Sequence, residues 1–141
     1  MALAVFALLS AIFAALVAIF GKVGLQSVDS STATAVRAIV MAVVLVLVIV
    51  AEGKMLKVGA IVSDWNVFKF ILASGIAGAL SWLFYFMALK IGKVSQVVPI
   101  DRLSIVFALI LGVLVLGEKA DWKTALGSVL VVVGAILVAL S

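Results

Sequence analysis

The stretch STATAVRAIVMAVVLVLVIVA, from Ser31 to Ala51, is apolar except for Arg37 and three hydroxyl residues near its start. At ~1.5 Å of rise per residue it is about as long as the ~30 Å hydrocarbon core of a bilayer is thick. In hydrocarbon a helix satisfies its own backbone polar groups without water, so the run predicts a transmembrane helix. One similar stretch precedes it, Leu3 to Phe20, with no charge. Three follow: Val67 to Leu89 with Lys69 near its start, Val94 to Leu116 with Pro99, Asp101 and Arg102, and Thr124 to Leu140. The fold expected is an all-α membrane protein of five transmembrane helices.

Composition points the same way. Of 141 residues, 68% are apolar and 11% charged, with a mean hydropathy of +1.53. A soluble domain is about half apolar and a quarter charged. A soluble enzyme, a disordered segment and a nucleic-acid binder are therefore excluded. The net charge of +4 does not revive nucleic acid, because the ten Lys and Arg are scattered and form no basic run. With neither Cys nor His, the chain has no disulfide framework and lacks the strongest transition-metal ligands. Ser–His and Cys–His catalysis are impossible. No enzyme, metal or cofactor is expected.

The punctuation fits five spans. Gly21-Lys22, Gly53-Lys54, Gly92-Lys93 and Gly117-Glu118 each place a glycine, able to close a helix C-terminus, before a charge that refuses hydrocarbon. Asp29, Ser30 and Ser31 are candidate caps of the second helix, Ser63 or Asp64 of the third, and Asp121 of the fifth. The first segment lacks the positive n-region of a cleaved signal peptide. The longest connection, Glu52 to Asn66, is too short for a soluble domain. Five crossings place the termini on opposite faces.

Charge fixes orientation weakly. The N-terminal face carries Lys54, Lys57, Lys69, Lys119 and Lys123; the other carries Lys22, Lys90 and Lys93, joined by Arg37 and Arg102 if these extend towards it. The bias slightly favours a cytoplasmic N-terminus, but the positive-inside rule needs a clear excess. A single topology and a dual topology both stand.

Charges inside the spans mark the candidate site. Arg37 lies ~9 Å past Ser31, and Asp101 and Arg102 ~12 and ~13 Å past Lys93. Asp101 and Arg102 fall close to the midplane, where a charge costs at least ~2.5 kcal/mol, and such residues face a bundle interior or a wet cavity. Both helices start from the same face, so Arg37 and Asp101 are at pairing depth, leaving Arg102 least compensated. Pro99 removes a helix hydrogen bond and frees the carbonyl near Ser95. Gly92, Ser95, Gln96, Pro99, Asp101 and Arg102 thus read as a weakened, polar helix end: a hinge or a ligand site. The other reading is an entrance pair, Asp101-Arg102, with the span beginning near Leu103.

A second polar stripe falls on the third span, where Ser74, Gly78, Ser81, Trp82 and Tyr85 share one face. Trp82 and Tyr85 lie deeper than an interfacial belt and either line a cavity or pack with satisfied polar tips. Trp65 and Trp122 read as interfacial anchors. Ser74 with Gly78, and Gly75 with Ala79, form small-xxx-small pairs. Gly127 and Gly134 share a stripe with Val131 on the uncharged fifth span, a packing or dimerisation surface.

Taken together, Arg37, Tyr85-Phe-Met-Ala-Leu89, Val94-Ser-Gln-Val-Val-Pro-Ile-Asp-Arg-Leu-Ser104, Leu116-Gly-Glu118, Gly127 and Gly134 resemble the EamA family of the drug/metabolite transporter superfamily. The similarity is to its short, single-repeat, five-span form and makes residues 1–141 one domain. It implies metabolite transport across a prokaryotic cytoplasmic membrane. Most relatives have ten spans in two inverted halves, a recurrent transporter design. This chain matches one half, and a homodimer of oppositely inserted copies would rebuild the whole. The chain departs from the superfamily's small multidrug exporters, which have four spans and a Glu in the first; here that span has no carboxylate.

The function expected is alternating-access transport of a small metabolite, anionic or zwitterionic, between two copies. Arg102 would attract its negative group, Arg37 and Asp101 would form a structural or gating pair, and Trp82, Tyr85 and Gln96 would line the site. Pro99 would act as hinge, with Gly127 and Gly134 in dimer packing. The rival from another class is a non-transporting assembly or accessory subunit packed on an unknown partner.

Overall fold

The computed structural model describes residues 1–119 and 121–140. Among these every regular element is an α-helix, in the order α1 Ala2–Gly24, α2 Ser30–Ala51, α3 Met55–Ser63, α4 Trp65–Ile91, α5 Val94–Asp101, α6 Ser104–Leu116 and α7 Trp122–Ala139. Five segments are long and apolar enough to cross a membrane: Ala2–Gly24, Ser30–Ala51, Trp65–Ile91, Val94–Leu116 and Trp122–Ala139. They coincide with the five spans expected. In α2, runs such as Val43-Val44 and Val46 to Val50 would be mediocre helix formers in water. In lipid the need to satisfy the backbone overrides that propensity.

The caps follow the sequence reading. Asp29 caps α2, its carboxylate accepting from the Thr32 N–H at 2.8 Å and the Thr32 hydroxyl at 3.0 Å. These bonds, the backbone one foremost, hold the Asp29 carboxyl below its ordinary value of 3.8. At α7, Asp121 likewise accepts from the Thr124 hydroxyl and N–H, the hydroxyl bond being the main cause of its lowered pKa. Asp64 serves α4, its carbonyl accepting from Phe68 N and its side chain from Asn66 N.

Three of the four glycine stops coincide with a helix end and one does not. Gly53 and Gly117 have positive φ, 66° and 68°, the left-handed conformation that glycine adopts without steric cost. At Gly117 the turn is closed by N–H groups of Gly117 and Glu118, which both donate to the Gly112 carbonyl. α4 also ends at its glycine, at Ile91 just before Gly92, though without a positive φ there, whereas α1 runs through Gly21 to Gly24. Lys22 makes this possible: its ammonium reaches the Gly92 carbonyl at 2.8 Å, so the charge need not end the helix. A helix not expected from the sequence, α3, fills most of the connection between the second and third spans.

The fourth span is divided into α5 and α6 at Arg102–Leu103, just beyond Pro99. The ladder there tightens to i→i−3 bonds: Arg102 N to Pro99 O, Leu103 N to Ile100 O, Ile105 N to Arg102 O and Val106 N to Leu103 O, all 3.0–3.1 Å. Proline's missing N–H and its ring disfavour a regular helix, and the tighter turn keeps the backbone bonded.

The chain divides into two compact units, one of Met1–Lys22 with Ile91–Ser141, the other of Val23–Lys90. In the first, α7 packs against α5 and α6. In the second, α2 and α4 run antiparallel, since the start of α2 meets the end of α4. Few apolar side chains are buried among the described residues: Ala18, Leu25, Phe86, Leu89 and Ala135. Every span instead presents large exposed apolar residues, the surface that lipid or a second protein covers.

Candidate functional site

Within the Val23–Lys90 unit, the N-terminal third of α2 carries Arg37 to a cluster of rings on α4. The guanidinium carbon lies 3.6 Å from the Trp82 ring centroid and 5.0 Å from that of Phe86. Helical spacing builds the platform, because Trp82, Tyr85 and Phe86 lie three and four residues apart on adjoining faces of α4. Trp82 meets Tyr85 edge-on, centroids 5.5 Å apart at 82°, and Tyr85 meets Phe86 at 5.9 Å and 72°. Phe86 is 3% exposed and Leu89 0%, so the platform rests on the best-packed part of α4.

Neighbouring contacts hold this end of the unit together. The Lys90 ammonium donates to the Val28 carbonyl at 2.9 Å, tying the end of α4 to the loop before α2. Thr34, buried, returns its hydroxyl proton to the Ser30 carbonyl at 2.7 Å and so takes no free polar group into the interior. Arg37 is different. Within its own unit no described residue accepts a hydrogen bond from its five N–H donors, although it lies about a third of the way along a membrane span. A cation–π contact contributes ~0.5–2 kcal/mol. A charge at depth costs at least ~2.5 kcal/mol. The rings therefore offset part of that cost.

Arg37 and Trp82 are also two walls of a cavity of about 580 Å³ between α2 and α4. Its floor is apolar: Ala38, Met41 and Leu45 from α2, and Gly75, Gly78 and Ala79 from α4. A Cβ added to Gly75 or Gly78 would meet nothing within 4 Å, so the missing side chains give the cavity its depth. This volume falls within the 300–1,000 Å³ typical of small-molecule sites.

The structure thus brings together Arg37, Trp82 and Tyr85, with Arg37 and Trp82 facing the cavity. Gln96, Pro99, Asp101 and Arg102 belong to the other unit. There the Gln96 side-chain oxygen accepts from the Lys93 N–H at 3.4 Å and caps α5. Pro99 is half-buried inside α5, while Asp101 and Arg102 are exposed at its end. Arg102 is the C-cap, its N–H bonded into the turn. Gly127 and Gly134 are exposed on α7, and a Cβ on either would meet nothing within 4 Å. Trp65 and Trp122, the expected anchors, begin α4 and α7 and are exposed.

Phe86, the second ring beneath Arg37, was legible as the residue four beyond Trp82 but carries no polar signal of its own. Gly75, Gly78 and Ala79, which the small-residue pattern offers to helix packing, here line the cavity. Met41 and Leu45 could have been placed only by knowing which face of α2 meets α4.

Comparison with known proteins agrees with the architecture. The model of the EamA-like transporter family matches residues 1–140. A curated protein of Sinorhizobium sp, named an uncharacterized transporter in the cobO 3' region, is 44% identical over 133 residues, covering 94% of this chain and 93% of its own. No solved structure matches the chain.

Proposed function

Because this chain belongs to the EamA-like transporter family, we propose that it carries a small metabolite across a prokaryotic cytoplasmic membrane by alternating access, as a homodimer of oppositely inserted copies. That it is a multi-pass membrane transporter follows from the family and the five spans. The observation that carries the finer reading is a cationic group, Arg37, stacked on Trp82 at the wall of a cavity at membrane depth. Arg37, Trp82 and Tyr85 form the substrate or gating site. Gln96, Pro99, Asp101 and Arg102 form a second polar segment where the fourth span is broken, available for gating when the two copies meet. Two further features support the inverted pair. The charge balance is nearly even across the membrane, and the Gly127–Gly134 stripe of α7 is open to a partner.

Two measurements test this. Purified protein in proteoliposomes, offered pools of radiolabelled metabolites, should show saturable uptake of at least one compound that Arg37→Ala abolishes; uptake undiminished in that variant removes the site. The native chain has no cysteine, so Gly127→Cys and Gly134→Cys can be introduced singly. Co-expressed, the two variants should cross-link to each other if the copies are antiparallel. Cross-linking of each variant only to itself would establish a parallel pair and end the inverted-dimer reading.

A further inference from the structure

We propose that the cavity between α2 and α4 selects a monocarboxylate with an apolar body, its carboxylate on Arg37 and its body in the trough of Met41, Leu45, Gly75 and Ala79. The inference rests on the transport reading for its purpose but not for its test, which is equilibrium binding.

Three observations carry it. First, the Arg37 guanidinium lies over the ring faces of Trp82 and Phe86, and stacking leaves in-plane N–H donors available. A planar fork of donors matches a carboxylate, two parallel bonds to two oxygens, better than it matches a neutral acceptor. Second, the rest of the cavity wall is nearly all hydrocarbon, floored at Gly75 and Gly78 where an added Cβ would meet nothing within 4 Å. Such a trough receives an alkyl or aryl body; its hydroxyls come from Ser31 and Thr34 only, and Thr34's already donates to the Ser30 carbonyl, so a sugar's many hydroxyls would go largely unpaired. Third, no Asp or Glu is among the described residues lining the cavity. An amino acid would place its ammonium in a dry wall beside a guanidinium, so the site discriminates against zwitterions and cations. Only an anion with an apolar remainder satisfies all three conditions.

Anionic lipid presents related chemistry, and the experiment separates the two sources. The full-length protein is placed in phosphatidylcholine nanodiscs with Trp65→Phe and Trp122→Phe, which leaves Trp82 as the sole tryptophan. Its fluorescence is titrated with 4-phenylbutyrate, and in parallel with the neutral 4-phenylbutyramide, with 4-phenylbutylamine and with phenylalanine. The expected result is a saturable change with 4-phenylbutyrate and at least ~10-fold weaker responses to the other three, the scale of a lost charge-assisted bond.

Arg37→Gln should weaken 4-phenylbutyrate by at least ~10-fold, and Arg37→Lys should retain part of the affinity because it keeps the charge but loses the fork. Gly75→Leu, which fills the trough without touching the charge, should also weaken it. If Arg37→Gln fails to fold, Arg37→Lys and Gly75→Leu decide the matter in its place. Equal response to the amide or the amine overturns the proposal. So does a 4-phenylbutyrate response that Gly75→Leu leaves unchanged, or one abolished by small amounts of phosphatidylglycerol, which would assign Arg37 to lipid. Saturable uptake of other metabolites together with no carboxylate binding would sink this inference and leave the transport reading intact.

Discussion

Two arginines sit inside apolar spans of this chain, and the protein treats them in opposite ways. Arg37 lies in an unbroken helix and is carried onto the faces of Trp82 and Phe86, beside a cavity. Arg102 lies where the helix stops: it is exposed, follows the equally exposed Asp101, and gives its backbone N–H to the turn between α5 and α6. In the first case side-chain packing accommodates the charge and the backbone stays regular. In the second the backbone yields, and the charge goes with the irregular segment. Depth in a span is therefore a poor guide to what a charge does. The neighbour at helical spacing on the facing element decides it.

The widest gap between the two regions should appear at Trp82. Trp82→Ala removes the ring under Arg37 and leaves a guanidinium at depth with one ring fewer, so uptake should fall by at least ~10-fold and the melting temperature should drop, whereas Trp82→Phe, which keeps a π face, should retain most of both. If Trp82→Ala behaves like the wild type, the stacked arginine is a packing detail and the contrast with Arg102 disappears.

A smaller effect of opposite sign is expected at the break. Proline in a helix interior costs up to ~3 kcal/mol relative to alanine, so Pro99→Ala should raise the melting temperature and slow amide exchange at residues 99 to 103. A lower melting temperature would show instead that packing of α5 on α7, and not the proline, sets the break.

The smallest effect lies outside both regions, at the Asp29 cap. Its folded pKa is lowered by Thr32, so its contribution is fully present above the ordinary value of 3.8 and is lost as pH falls through the lower folded value. Melting temperatures measured from pH 6 down to pH 3, about the range over which carboxylates protonate, should show a fall that Asp29→Asn reduces, since asparagine caps without titrating. An identical pH profile in that variant would clear Asp29 of any part in the acid response.

How much of this was legible beforehand depends on the range of the interaction. The spans, the caps at Asp29, Asp64 and Asp121, and the stops at Gly53 and Gly117 are written within a few neighbouring residues, and all were readable. The stop expected at Gly21 was not realised: α1 runs on to Gly24, with Lys22 reaching a carbonyl some seventy residues away, at Gly92. The arginine–tryptophan stack is of the same kind. Depth singles out Arg37 and Trp82 separately, but nothing local says that the guanidinium lies over that ring.

The sequence by itself determined that this chain lives in a bilayer and crosses it five times, because the hydrophobic effect and backbone satisfaction act on each segment independently of the others. Only the tertiary structure decided which faces of α2 and α4 meet, and therefore that an arginine rests on rings and that two glycines open a cavity beside it. That choice is made between elements far apart in the chain. It turns on side-chain shape at a contact, which no local pattern encodes.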